Sequence, residues 1–322
     1  MLSRRRVVSG LAALAGLGAQ PAAAQAYPTR PITLIVPFAA GGFNDVIVRL
    51  VAQHMSQTLG QSIIIENDAG AGGTTATARA AQAAADGYTL LAGSMGTHAA
   101  APTQYPNLKY DPAKDFTPIG LTAEAPAVIV ARKDFPANTL TEFMAYVREH
   151  QAKINEAHAG VGSQMHTYCT LLQSLMGTKT ARIAYRGGAP AINDLVAGQV
   201  DFSCVSINTV VSQIQAGTLK AIAIASPERA DVIKEVPTTS EAGLPEFQVS
   251  GWNAIFAPRA LPADLTAKLS DALAKALEDP LTATRLAEIG CLIPKAADRT
   301  PAALQERVER EVARWSSVLK RG

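Results

Sequence analysis

Ile32-Thr-Leu-Ile-Val36, then Pro37-Phe38-Ala-Ala-Gly41-Gly42-Phe43-Asn44-Asp45, then Val46 to Leu59 is the stretch whose reading decides the fold. The β-branched run reads as a buried strand, and Gly41-Gly42 as a loop whose backbone a ligand can approach closely. Val46 to Leu59 reads as a helix with Ile47, Leu50, Val51, Met55 and Thr58 on one face, closed by Gly60. His54 falls on that stripe and reads as a packing residue. Strand, glycine loop and helix together form the repeating unit of a parallel sheet covered by helices.

The unit recurs downstream. Ser62 to Glu66 reads as a second strand, Thr74 to Ala85 as an alanine-rich helix, and Tyr88 to Ala92 as a third strand after an Asp86-Gly87 turn. Thr139 and Glu142 have capping-box spacing, ahead of a helix burying Leu140, Phe143, Met144 and Val147. A helix follows Gly162-Ser163, then a strand at 180–184, a helix at 190–197, and strands at 201–205 and 219–225. The last third reads as helix from Pro262 to Gly290 and again from Thr300 to Lys320, with Pro301 in the first turn.

Ala127 to Ala131 and Trp252 to Ala257 are apolar strands bracketing a block of α/β pattern, so both are expected to cross between two lobes. The expected division is 27–127 with 253–322 in lobe 1 and 128–252 in lobe 2, with no low-complexity linker between them. An apolar content of 48% supports two sizeable cores in 322 residues.

Upstream, Arg4-Arg-Arg6, an apolar run from Val7 to Ala19 and Ala24-Gln-Ala26 form the three parts of a secretory signal, with cleavage expected after Ala26. The paired arginines also fit a twin-arginine signal, so the export route stays open. The run is too short to span a bilayer. Removing 1–26 takes away three basic residues and no acidic one, moving the net charge from +2 to −1. That balance offers nothing to nucleic acid or an anionic membrane. Cys169, Cys204 and Cys291 lack metal-type spacing and read as three buried free thiols.

Two glycine-bearing loops carry the candidate chemistry. In the first, Asn44 and Asp45 are expected to cap the helix starting at Val46. In the second, Gly160-Val-Gly162-Ser163-Gln-Met165-His166 precedes another helix. The open N–H groups of a helix start favour an anion, and two such starts in different lobes would hold one between them. Neither loop contains Lys or Arg, which fits a carboxylate better than a phosphate.

Three other motifs carry less. Gly70-Ala-Gly-Gly has Thr75 where a dinucleotide fingerprint needs its third glycine, so no cofactor is expected. Ala92-Gly-Ser94-Met-Gly96 resembles a nucleophile elbow, which makes a serine hydrolase with Ser94 as nucleophile the enzymatic alternative; yet no His follows His166. His158 and His166 match no metal-ligand spacing, and no metal is expected.

The motifs in their order carry a resemblance. Tyr27-Pro-x-Arg-Pro-Ile, PFAAGGxxD, Gly70-Ala-Gly-Gly, Asp86-Gly-Tyr-Thr-Leu-Leu, Tyr110-Asp-Pro-x-Lys-Asp-Phe, Gly162-Ser-x-x-His166, Tyr185-Arg-Gly-Gly-x-Pro190, Gly198-Gln-Val-Asp201 and Val236-Pro-Thr-Thr-x-Glu-Ala-Gly-Leu-Pro245 resemble the Bug-type substrate-binding proteins of tripartite tricarboxylate transporters. The resemblance implies an α/β two-lobe periplasmic binding protein of type II-like fold, with a ligand cleft between the lobes and two crossover strands. It implies a non-enzymatic, monomeric periplasmic receptor that captures a small aromatic, aliphatic or dicarboxylate ligand for two membrane subunits. Delivery to a signalling partner is the other receptor role.

Carried onto this chain, the resemblance points to Phe38, Gly41, Gly42, Phe43 and Asn44 in the first loop, and to Ser94, Thr97 and His98 in the same lobe. In the other lobe it points to Gly162, Ser163, Met165 and His166, to the turn with Tyr185 and Gly187, and to Val205. Relatives often carry an acidic side chain after the Gly-Gln-Val-Asp strand, where this chain has Cys204-Val205-Ser206. The far end of the pocket is therefore expected to be less polar, favouring an aromatic or aliphatic carboxylate over an amino acid, unless Val205 points into the core instead.

Overall fold

A computed structural model describes residues 27–319. The secretory signal and its cleavage after Ala26 lie outside the described residues, as does Lys320. Strands β1 (Ile32–Val36), β2 (Ile63–Asn67) and β3 (Thr89–Ser94) alternate with helices α1 (Phe43–Leu59) and α2 (Thr74–Ala81). A π-helical turn at Gly96–Ala100 leads into the short α3 (Ala101–Gln104) and then the long strand β4 (Phe116–Arg132). The middle block contains α4 (Leu140–His150), β5 (Asn155–His158), α5 (Gln164–Met176), β6 (Ala181–Ala184), α6 (Gly188–Val196), β7 (Phe202–Ser206), α7 (Val211–Gln215) and β8 (Leu219–Ile224). Strand β9 (Ser250–Pro258) returns the chain to α8 (Ala263–Glu278), α9 (Pro280–Glu288) and α10 (Pro301–Leu319).

The sheet runs β2-β1-β3-β9-β4-β7-β5-β6, with β8 also on β4. β4 is the join: Phe116 to Pro126 pair with β9, whereas Ala127 to Arg132 pair with β7 and β8. Alternation along the strands sends Ile32, Leu34, Val36, Val128 and Val130 into one core and Ile35, Ala127, Ile129 and Ala131 into the other. Both faces are therefore covered by helices, which is why these strands read as continuous apolar runs.

Several expectations change. The alanine-rich helix expected to run to Ala85 ends at Ala81. β4 begins eleven residues before Ala127, because Pro118 and Gly120, which weaken a strand reading, sit at register shifts that a ladder tolerates. The helix expected from Pro262 to Gly290 is two helices, since Pro280 opens a new one with Asp279 as its cap. On α1, Thr58 is exposed and His54 only half buried; the buried stripe is Ile47, Val48, Val51, Ala52, Met55 and Leu59. The capping box at Thr139 and Glu142 is present, and the three cysteines are buried free thiols. Cys204 N–H donates to Cys169 Sγ at 3.0 Å.

Several motif residues hold the fold together. Asp201 ties Arg132 at 3.0 Å and the Asn155 N–H at 2.8 Å, while the Arg30 guanidinium lies over the Tyr88 ring. Among the described residues, no helix is long and apolar enough to cross a membrane.

Candidate functional site

Helix α1 starts at Phe43, earlier than expected, with Gly42 as N-cap and no side chain capping it. Asn44 and Asp45 thus lie inside the first turn and hold the loop instead. The Asn44 amide donates to Ala92 O at 3.1 Å, and the Asp45 carboxylate accepts from Gly41 N–H at 2.8 Å, from Arg49 and from the Asn67 amide. Burial of Asp45 opposes its ionisation, but these hydrogen bonds outweigh it and hold the carboxyl below the usual carboxylate range. The first-turn N–H groups of α1 therefore have no side-chain cap.

Two further helix starts meet this one. α6 begins at Gly188 with an uncapped Gly187 before it, and α5 begins at Gln164 with Ser163 Oγ accepting the His166 N–H at 3.2 Å. Together they line a small pocket, whose empty space, counting that open to solvent, is about 390 Å³. Its lining is Phe38, Gly42, Phe43 and Asn44 from the α1 start, Ala159, Ser163, Gln164, Met165 and Gly188 from the α5 and α6 starts, and Val205, Ser206 and Thr209 at the end of β7. None of these side chains is charged. Helix starts carry partial positive charge, an arrangement that favours an anion where one binds.

Of the residues singled out from sequence, Phe38, Gly42, Phe43, Asn44, Ser163, Met165 and Val205 come together here. The others sit around it. Gly41 is exposed at positive φ behind the α1 start. Ser94 is buried at the end of β3, and its hydroxyl has no partner among the described residues. Thr97 Oγ1 lies 3.1 Å from Ser94 N and 2.9 Å from His98 Nδ1, and the His98 ring stacks on Phe256. Burial pushes the His98 imidazole down to about 3, so it is neutral. Gly162 seats the Tyr105 ring, Gly187 abuts Ala39, and the Tyr185 hydroxyl donates to Asp194 at 2.7 Å. His166 turns away from the cavity to line an open groove on the outer side.

Gln164 and Ser206 were missed although each adjoins a residue that was singled out. Gln164 Nε2 donates to the Tyr168 hydroxyl, with Ser206 Oγ at 3.4 Å, so a buried polar chain lies beneath Val205. Their neighbours' motifs carried the signal; the facing direction of each side chain did not.

The two sides of the cavity are shut on each other. Ala39 N–H reaches Arg186 O at 3.4 Å, the Asn208 amide reaches Phe43 O at 3.4 Å, and Tyr105 Oη lies 2.6 Å from Val161 O. Gly72, at φ +61°, passes so close to the Val161 carbonyl that any Cβ there would overlap it.

Comparisons with known proteins point one way. Residues 47–321 match the family model described as tripartite tricarboxylate transporter family receptor. MatC from Rhodopseudomonas palustris, solved with bound malate, is 45% identical with a TM-score of 0.89, covering 91% of this chain and 99% of that one. The periplasmic binding protein BugD is 38% identical with a TM-score of 0.88, covering 91% and 98%. A protein from the TAR-I ttuE–ttuC′ intergenic region of Agrobacterium vitis is 41% identical over 298 residues, 92% of this chain and 86% of that one.

Proposed function

We propose that this chain, which belongs to the tripartite tricarboxylate transporter receptor family, is a periplasmic receptor that closes on a small aliphatic dicarboxylate and presents it to the transporter's membrane subunits. The signal at 1–26 would export it, and it would act as a monomer without chemistry on its ligand. The observation that carries this reading is the pocket where helices α1, α5 and α6 begin, lined by no charged side chain.

The proposed contacts are the open N–H groups at Phe43 and Asn44 for one carboxylate, with Phe38, Gly42, Met165 and Val205 shaping the space. Ser163 holds the α5 start in place, and Ser206 with Gln164 takes the far polar group. Each hydrogen bond to an ionised carboxylate is worth about 1.5–3 kcal/mol. An α-ammonium would find no acid beside it, so amino acids are excluded by its desolvation. Hydrolysis by Ser94 has no support, since His98 is engaged with Thr97 rather than with the serine hydroxyl.

We place the hinge at Pro126–Ala127 and Val249–Ser250. β4 changes partners there, and Ala127 N–H donates to Val249 O at 3.0 Å. A few residues at the ends of elements suffice to absorb closure.

A thermal-shift screen of the mature protein tests the ligand class. Malate at about 100 times its Kd is expected to stabilise by about 2.7 kcal/mol, and aspartate at the same concentration not at all. Stabilisation by amino acids alone contradicts the proposal.

A further inference from the structure

His166, turned out of the ligand cavity, lines a second space that both sides of the molecule build. α3 supplies Gln104, and α5 with the segment after it supplies Thr170, Thr178, Lys179 and Arg182. No acidic side chain lines this groove. Three residues of its lining carry a buried side-chain atom with no partner among the described residues: His166 Nδ1 and Thr178 Oγ1, which can donate, and Gln104 Oε1, an acceptor whose amide would meet an anion through its nitrogen. His166 is 9% exposed and Thr178 5%, so these are built positions rather than surface side chains.

The chemistry of His166 Nδ1 follows from its neighbours. Its Nε2 faces the Arg182 guanidinium at 3.5 Å, and that guanidinium also donates to Thr170 Oγ1 at 3.2 Å. Arginine has no acceptor, so Nε2 must be the accepting nitrogen and the imidazole hydrogen sits on Nδ1. Burial first, then His158 and Arg182, push this histidine down to about 3, so it is the neutral tautomer that is present. An orphaned N–H donor, a hydroxyl and two cationic side chains thus belong to one wall, with the buried Glu156 carboxylate behind Arg182 at 3.7 Å.

We propose that this groove is a second ligand site, taking a small multivalent oxyanion that bridges Gln104 on one side to His166, Thr178, Lys179 and Arg182 on the other. Because the two walls come from opposite sides of the cleft, the groove has this shape only in the closed form. An oxyanion there favours closure and so, by linkage, tightens ligand in the cavity. α5 connects the sites directly, since its first two residues line the cavity and its third turns into the groove.

The test uses inorganic phosphate and citrate as probes, titrated calorimetrically into the mature protein and into Gly42→Asp. That substitution suits an N-cap backbone with room for a Cβ and lets the new carboxylate cap α1, which closes the cavity to anions while leaving the groove intact. One saturable site for either probe is expected to survive in Gly42→Asp, with the tighter probe identifying the oxyanion class. Adding Lys179→Ala or Thr178→Val is expected to weaken it about tenfold, with the His166 Nδ1–H resonance shifting on titration. The exposed Lys179 keeps the test usable if the Thr178 variant folds poorly. No saturable binding of either probe, or binding lost in Gly42→Asp and indifferent to Lys179→Ala, overturns the proposal. Malate binding to the unsubstituted protein is read separately, so failure of the groove leaves the cavity's function standing.

Discussion

The inner cavity and the outer groove are both proposed to take anions, yet by opposite means. The cavity has no charged side chain and relies on helix starts, two of them uncapped; the groove has Lys179 and Arg182 on an open wall. Burial accounts for the difference. In an enclosed space, fixed backbone dipoles hold an anion without the desolvation penalty of burying a cationic side chain. In an open groove those dipoles are weakened by water, and long flexible cations can be used because they remain partly hydrated.

The largest expected effect removes the comparison by preventing closure. Gly72→Ala would drive its Cβ into the Val161 carbonyl oxygen. Calorimetry should show malate affinity falling about a hundredfold or more, equivalent to about 2.7 kcal/mol, with phosphate binding in the groove lost as well. Affinity within a few-fold of the unsubstituted protein would mean that these contacts do not report the closed state.

Glu156 sharpens the contrast, because it lies buried beneath the groove, 3.7 Å from Arg182 and hydrogen-bonded by Gln173. Burial pushes its carboxyl up to about 7 despite those partners. A carboxyl raised in the folded state contributes full stability below its ordinary value of 4.5, and loses it as pH rises through about 7. His98 and His166 work in the opposite sense: pushed down from 6.5, they favour the fold above that value and lose the contribution as pH falls toward about 3. Glu156→Gln should therefore be more stable than the parent at pH 8, by on the order of 1–3 kcal/mol in urea titrations, and indistinguishable from it near pH 4. It should also leave Arg182 less neutralised, tightening phosphate in the groove while malate in the cavity is unaffected. Equal stability of the two proteins at every pH would refute the assignment.

The smallest effect is that of salt. Raising NaCl from about 0.05 to about 0.5 M should weaken phosphate several-fold and malate less than about twofold, since screening reaches the exposed cations but not the enclosed dipoles. Equal salt sensitivity at the two sites would erase the distinction.

How much of this was legible from the chain differs by element. The unit from Ile32 to Leu59 was readable because period and glycine placement agree. α5 was readable from Gly162-Ser163, and the Thr139 capping box from two residues. β4 was half hidden: Pro118 and Gly120 look like breakers, and only the pairing with β9 shows that they sit at register shifts. At the site, sequence could locate helix starts but not the directions of side chains. Ser163, Met165 and His166 belong to one turn, yet the first two line the cavity and the third the groove. Gly162 was singled out as a ligand neighbour, whereas the structure places it under the Tyr105 ring.

The most direct measurement is a crystal structure of the mature protein grown with malate. One malate carboxylate should lie between the starts of α1 and α5, with an oxygen about 2.7–2.9 Å from the N–H of Phe43 or Asn44 and no Lys or Arg side chain against it. A malate bound with both carboxylates on cationic side chains, or seated outside the space shared by those helix starts, would contradict the account.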